Sequence, residues 1–442
     1  MTASKSSTIA VIGAWHQASV VSACFADMGH RVRGIGDDAA AVAGLGAGRA
    51  PVYEPGLDAM LERNLKAGRL RYTTSYAEGL KDADFAFVCI DTPVGPDDES
   101  DLTSIYRAVD SIAAYASNSF ILCVSAQVPV GTCAQLVQTL AERQPDYSIP
   151  VVYVPEFLRL GSAIQTFREA DRFVIGADDP EHAARVASLY EPLGRPIRIT
   201  DVRSAEMAKH AANAFLAMSI SFINQIADLC EHTGADVTEV AEILKLDRRI
   251  GPYAYLSAGM GYAGGTLGRE IRALRQLGKQ HTVDTGLLDA VEQINSRRVL
   301  TLLRRLKQVY PVLGGVRVGV LGLTYKPGTS TLRRSAALEL IDLLLAEHAT
   351  VAAFDPLARL SELPEPPPFQ IYDDPMEVAQ DASVLVLVAP WADIDQFDFS
   401  ACAKAMKQPV LLDTGNFLSP ANITGAGFTY MGVGRGTMQE SS

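Results

Sequence analysis

The feature that most constrains this chain is an alternation through its first half. Short, apolar, β-rich runs (Thr8–Ile12, Arg31–Ile35, Phe85–Ile90, Phe120–Val124, Val151–Val154 and Arg172–Ile175) are separated by stretches whose apolar residues recur at helical spacing. Strands that are apolar throughout are buried on both faces, and helices between them supply the crossovers of a doubly wound α/β domain. From about Ser204 to Leu306 the pattern turns helical, and AEMAKHAANAFLAMSISFINQIADLCEHTG keeps helical periodicity until Gly234 stops it. After Val312-Leu313-Gly314-Gly315 the alternation returns in RVGVLGLTY, ATVAAFDP, ASVLVLVAP and QPVLLDTG, which predicts a second, smaller α/β domain. The expected division is 1–203, 204–306 and 307–442, with a long central helix between the two α/β domains.

A chain of 442 residues that is 48% hydrophobic has material for more than one core. Its net charge of -12, with no clustered Lys/Arg, argues against a nucleic-acid surface. No apolar run reaches the ~20 residues that span a bilayer, and no signal-peptide pattern opens the chain, so a soluble cytoplasmic protein with no membrane partner is expected. The six cysteines (Cys24, Cys89, Cys123, Cys133, Cys230, Cys402) lack paired metal spacings; reduced, buried thiols and no metal site are expected. The small, polar ends MTASKSS and GTMQESS are expected to fray.

The opening stretch, TIAVIGAWHQASVVSACFADMGHRVRGIGDD, has the strand–turn–helix–strand frame of a Rossmann-like dinucleotide-binding unit. In such a loop one glycine makes the turn, a second lets the backbone approach a pyrophosphate, and a third lets helix pack on strand. Here Gly13 stays, Trp15 stands at the second position and Ala18 at the third. The acidic residue that holds the adenosine ribose falls on Gly36, with Asp37 one position late. The expectation is a Rossmann scaffold whose cofactor cleft is plugged by Trp15 and His16.

Ser125-Ala126-Gln127-Val128-Pro129-Val130-Gly131-Thr132 is similar to the KSTVPVGT segment of the UDP-glucose/GDP-mannose dehydrogenases, the nucleotide-sugar 6-dehydrogenases. VYEPGL (Val52–Leu57), DTP (Asp91–Pro93), PEFLR (Pro155–Arg159), DRFVIG (Asp171–Gly176), AEMAKHAANAF (Ala205–Phe215), INSR (Ile294–Arg297), LGLTYKPGT (Leu321–Thr329), FDP (Phe354–Pro356) and YMGVGR (Tyr430–Arg435) follow in the family's order. The resemblance covers nearly the whole chain. It implies two Rossmann-like domains joined by a long central helix that carries a homodimer contact, with NAD held by the first domain and a UDP-sugar by the last. It also implies that two hydrides leave C6 of a hexose in succession, through a thiohemiacetal and a thioester on a cysteine.

Several residues depart from that pattern. The family's G-x-G-F-G-G-S-C-F-P-K-D aligns without a gap on Gly259–Glu270 and places Thr266 at the nucleophilic cysteine. A thiol of pKa about 8.5 supplies thiolate at neutral pH, whereas a hydroxyl needs an adjacent base. The glutamate that follows PEFLR is Leu160, the lysine of KSTVPVGT is Ser125, and its threonine is Ala126 or Gln127. By the resemblance the remaining catalytic candidates are Glu156, Glu270, and Lys209 with Asn213, which share one helical face at i and i+4. Gly13, Trp15, Asp37 and Thr92 are the cofactor-side positions. Arg249, Tyr262, Gly264, Lys326 and Arg333 are the sugar-nucleotide positions, the glycine-rich run being expected to stay open to a diphosphate. Two readings follow. One is a homologue that binds a nucleotide sugar without cysteine-dependent four-electron oxidation; the other is an oxidoreductase with altered cofactor use or single-step chemistry.

Overall fold

The structure is a computed structural model that describes residues 6–92 and 100–436. Pro93 of DTP and most of both expected frayed ends lie outside the described residues. The chain divides into two compact units, residues 1–211 and 212–442.

The first unit is built on a sheet ordered β3-β2-β1-β4-β5-β6-β7-β8. Its strands are β1 (Thr8–Ile12), β2 (Arg31–Ile35), β3 (Leu70–Thr73), β4 (Phe85–Val88), β5 (Ile121–Val124), β6 (Val151–Tyr153), β7 (Phe173–Gly176) and β8 (Ile197–Thr200). All neighbours pair in parallel except β6 with β7. β1, β4 and β5 are buried along their whole length, as apolar runs covered on both faces must be. The strand order reverses between β1 and β4, so the loops after these two strands flank the crevice where doubly wound sheets bind ligands. Helix α1 (His16–Asp27) leaves that crevice. Its Ala18, Ser19, Ser22 and Ala23 are fully buried, and such small residues let it lie close on the sheet. A second helix, α2 (Thr132–Arg143), follows β5.

Helix α3 (Val202–Thr233) runs through the division at residue 211. The second unit continues with α4 (Val237–Leu246), α5 (Leu267–Gln280), α6 (Gly286–Ser296) and α7 (Arg298–Val309). Its sheet, with α8 (Ala336–Ala346) as the first crossover, is ordered β11-β10-β9-β12-β13-β14, parallel throughout. The strands are β9 (Arg317–Leu321), β10 (Thr350–Phe354), β11 (Gln370–Ile371), β12 (Val384–Leu387), β13 (Val410–Asp413) and β14 (Thr429–Gly432). The fold is the mixed α/β architecture expected, two Rossmann-like sheets with a long central helix.

Beyond β14 the chain is stitched to the α3–α4 turn. Gly434 donates to Glu231 and accepts from Val237, Gly436 donates to the Ala235 carbonyl, and Arg305 bonds the Gly432 carbonyl. At Gly434, φ is +68° and an added Cβ would lie 2.6 Å from the Ala227 side chain. Gly434→Val should therefore cost about 1–3 kcal/mol. A thermal melt should read this as a drop of several degrees, and an unchanged melting temperature would count against the stitch.

Candidate functional site

Gly13 closes the turn after β1 with φ +132°, and an added Cβ would lie 2.5 Å from the carbonyl oxygen of Cys89. Only glycine fits. Each side chain at the head of α1 is then placed separately. Trp15, the N-cap, has ordinary extended backbone (φ -103°, ψ -171°), and its side chain is 43% exposed. His16 Nε2 lies 2.8 Å from Glu54 Oε2, and Gln17 donates to the Ser125 carbonyl. No side chain caps the helix and no acid occupies its first turn, so its leading amides and dipole still favour an anion.

Glu54 is buried and accepts three hydrogen bonds, from His16 and from the backbone amides of Gly161 and Ala163 at 2.7 Å each. Burial pushes its carboxyl up, but the bonds from His16, Gly161 and Ala163 together outweigh this and hold it below its ordinary value. Gly36 leaves no carboxylate at the end of β2. Asp38 caps the next helix through the amides of Ala40 and Ala41, and Asp37 faces Tyr76, whose hydroxyl is held well above its usual range by burial and then by Asp37. Thr92 is buried and bonds the Gln127 carbonyl. The turn at Gly13 and the uncapped head of α1 suit an anion such as a diphosphate.

On the substrate side of the first unit, Lys209 is buried. Its ammonium donates to the Glu156 carbonyl and sits 4.6 Å from the centre of the Phe157 ring. The Glu156 carboxylate accepts from the Leu158 amide at 2.5 Å, which folds the PEFLR segment back on itself. Two neighbours on α3, within AEMAKHAANAF but not among the predicted site residues, hold this arrangement. Glu206 accepts the amides of Gly131 and Cys133 at the head of α2, and His210 bonds the Val128 carbonyl. Asn213, one turn after Lys209, is 6% exposed, and its Nδ2 is buried without a hydrogen-bond partner among the described residues.

In the second unit the Gly259–Gly265 run is held from several sides. The Gly259 amide donates to Asn224 of α3 and its carbonyl accepts from Arg298. Tyr262 exchanges two backbone bonds with the Asn295 side chain, and the Gly264 amide donates to the Arg334 carbonyl. An added Cβ at Gly264 would lie 2.9 Å from the Tyr325 ring, so the run packs on the segment that carries Lys326 and Arg333. Of the predicted sugar-nucleotide residues, Tyr262, Gly264, Lys326 and Arg333 thus belong to two touching segments. The amides of Gly259, Tyr262 and Gly264, however, are engaged internally rather than open to a diphosphate. Lys326 lies 5.6 Å from the Tyr325 ring centre, and Arg333 is exposed. Arg249 stands apart from them, its guanidinium bonded to both carboxylate oxygens of Asp247.

Thr266 is the exposed N-cap of α5, and its side chain makes no capping bond. Glu270, one turn on, is buried. All six cysteines are free and buried. Burial raises the thiols of Cys24 and Cys402 to about 12. It also lifts Cys89, Cys123, Cys133 and Cys230 above their ordinary value. Burial thus disfavours the thiolate at each of the six.

Residues 7–194, 203–297 and 319–420 match, in turn, the NAD binding, central and UDP binding domains of the UDP-glucose/GDP-mannose dehydrogenase family. A UDP-glucose 6-dehydrogenase of Pseudomonas aeruginosa is 36% identical over 441 residues, 97% of each chain. The UDP-glucose 6-dehydrogenase TuaD of Bacillus subtilis is 34% identical over 434 residues, 97% of this chain and 93% of that one. The solved structure of a UDP-glucose dehydrogenase from Pyrobaculum islandicum superposes with a TM-score of 0.89 at 30% identity, covering 99% of both chains. Fold, site and relatives together place this chain in the UDP-glucose/GDP-mannose dehydrogenase family, among the nucleotide-sugar oxidoreductases. Among the described residues, no helix is long and apolar enough to cross a membrane.

The thiol environments make a direct prediction. A colorimetric disulfide reagent should find no fast-reacting thiol in the native protein and all six after denaturation. Thr266→Cys should add one fast thiol, because its position is exposed and heads a helix that favours thiolate. A native cysteine that reacts as fast as this one would overturn the assignment.

Proposed function

We propose that this chain binds a nucleoside diphosphate sugar, a UDP-hexose, and does not oxidise it through a cysteine thioester. The observation that carries this reading is the pairing of an exposed, uncoupled Thr266 hydroxyl at the nucleophile's position with six thiols that burial keeps protonated. Leu160 removes a carboxylate that could activate water for release of a uronate. On the binding side, the unpaired Nδ2 of Asn213 leaves a buried donor that a sugar hydroxyl or phosphate oxygen would satisfy. Lys209 and Asn213 serve as sugar-binding groups, with the Glu156 segment seating Lys209. Tyr262, Lys326 and Arg333 meet the nucleotide diphosphate. Trp15 at the second glycine position and Gly36 at the ribose position weaken NAD binding without removing the turn at Gly13. Free thiols suit a reducing, cytoplasmic setting.

A second reading, one hydride transfer stopping at an aldehyde or an altered cofactor mode, is favoured by the retained seat of Lys209 and by the uncapped head of α1. Product analysis separates the two. With UDP-glucose and NAD the protein should form no UDP-glucuronate, and turnover of order 1 per second, typical of an enzyme, would sink the first reading. Calorimetry should show UDP-glucose binding that Arg333→Ala weakens about tenfold, since a charge-assisted bond to a diphosphate contributes roughly 1.5–3 kcal/mol. No heat with UDP-glucose, UDP-glucuronate or GDP-mannose at millimolar concentration would remove the binding proposal.

We also propose a homodimer formed through α3. Phe215, Phe222 and Leu229 are exposed at heptad spacing on this helix, and Leu246, Ile250 and Tyr253 are exposed at the end of α4 and beyond it. A second copy of the chain would cover this face and bring its own Arg249 loop with it. Sedimentation should give a dimer that Phe222→Asp converts to monomer; a monomeric parent would refute the assembly.

A further inference from the structure

We infer that His16 is the side chain that receives the diphosphate of a dinucleotide at the head of α1, with Glu54 as its positioning residue. Side chains on a helix lean toward its N-terminus, and His16 is the first residue of α1, so its imidazole stands beside the leading amides. Its far nitrogen, Nε2, is fixed 2.8 Å from Glu54, whose other partners are the amides of Gly161 and Ala163. The near nitrogen, Nδ1, makes no hydrogen bond among the described residues. A buried carboxylate with three donors requires a proton on Nε2. An imidazole that also donates from Nδ1 can bridge this carboxylate and a phosphate oxygen.

The bridge is needed for charge as much as for geometry. A diphosphate entering beside Glu54 would meet a buried negative charge, and a cationic His16 between them converts that repulsion into two attractive contacts. The surroundings are consistent with this. The head of α1 has no side-chain cap and no acid in its first turn, and Trp15 keeps extended backbone with its indole partly in solvent. The role that a bare glycine amide plays at the second position of a dinucleotide loop thus passes, in this chain, to the imidazole one residue further on. This inference rests on the proposal that a dinucleotide enters the cleft, although weakly.

The test uses Trp391→Phe as background, which leaves Trp15, adjacent to His16, as the one tryptophan reporter. ADP-ribose, which carries the diphosphate without nicotinamide, is titrated by Trp15 emission and by calorimetry. His16→Phe should weaken ADP-ribose at least about tenfold, and His16→Gln, which keeps a donor, should weaken it less. Glu54→Gln removes the charge and keeps one acceptor oxygen, for either Gly161 or Ala163. It should weaken ADP-ribose, with no further weakening when combined with His16→Phe, while retained UDP-glucose binding shows that the variant is folded. UDP-glucose binding should survive His16→Phe, so failure here is distinguishable from failure of the sugar-nucleotide reading. Equal or tighter ADP-ribose binding by His16→Phe would show that the ring obstructs the cleft and would overturn the inference. So would a parent protein that does not bind ADP-ribose at millimolar concentration.

Discussion

The second unit is tied together by two buried cations on α7. Arg298 is 2% exposed, and its guanidinium joins the Gly259 carbonyl to Asp228 of α3, at 2.6 and 2.5 Å. Seven residues further along α7, Arg305 repeats the arrangement with Glu231 and the Gly432 carbonyl. Desolvating a guanidinium costs several kcal/mol unless its donors are satisfied, so these two positions fix the register of α7 against α3. Breaking one pair would leave an uncompensated charge. The glycine run, the α3–α4 turn and the end of β14 all hang on this register, and with them the loop that delivers Thr266.

The first unit is organised around an anion instead. Glu54 gathers the head of α1, the turn before the short helix Ala163–Arg168, and its own VYEPGL loop into one knot. The PEFLR segment, which seats Lys209, enters that knot at Gly161. Geometry on the cofactor side and geometry on the sugar side are therefore coupled through one buried carboxylate, although His16 and Glu54 differ from the family's glycine-rich logic in opposite ways.

Much of the fold was legible because it follows from periodicity. The apolar runs that fill β1, β4, β5 and β12 are buried on both faces and need no tertiary information to be recognised. The edge strands β3 and β8 escaped, since LRYT and IRIT mix exposed and half-buried residues and carry a weak pattern. The segment expected at Phe85–Ile90 ends at Val88, where the chain turns toward the crevice. Site residues were legible only where a motif named them. The His16–Glu54 contact spans 38 positions and Arg298–Asp228 spans 70, distances over which no local pattern operates. Arg249 read as a phosphate ligand from its motif, whereas in this chain it is turned onto Asp247 two residues away. The heptad of Phe215, Phe222 and Leu229 was present in the sequence, but only exposure separates an unpartnered face from a core stripe.

Retained glycines have two explanations, and here the structure separates them. The Gly259–Gly265 run reads as a loop kept open for a diphosphate, yet its glycines are demanded from within. A Cβ at Gly259 would lie 2.8 Å from the Thr414 carbonyl, one at Gly261 2.4 Å from Asn295, and one at Gly264 2.9 Å from Tyr325. Such crowding would preserve these glycines in a protein that binds nothing. Asn213 is different in kind. A buried amide nitrogen without a partner among the described residues costs roughly 1–3 kcal/mol. An internal demand would have supplied an acceptor or replaced the residue with an apolar one of similar size. The unmet donor at Asn213, rather than the glycine run, is thus the feature that supports the proposed sugar ligand.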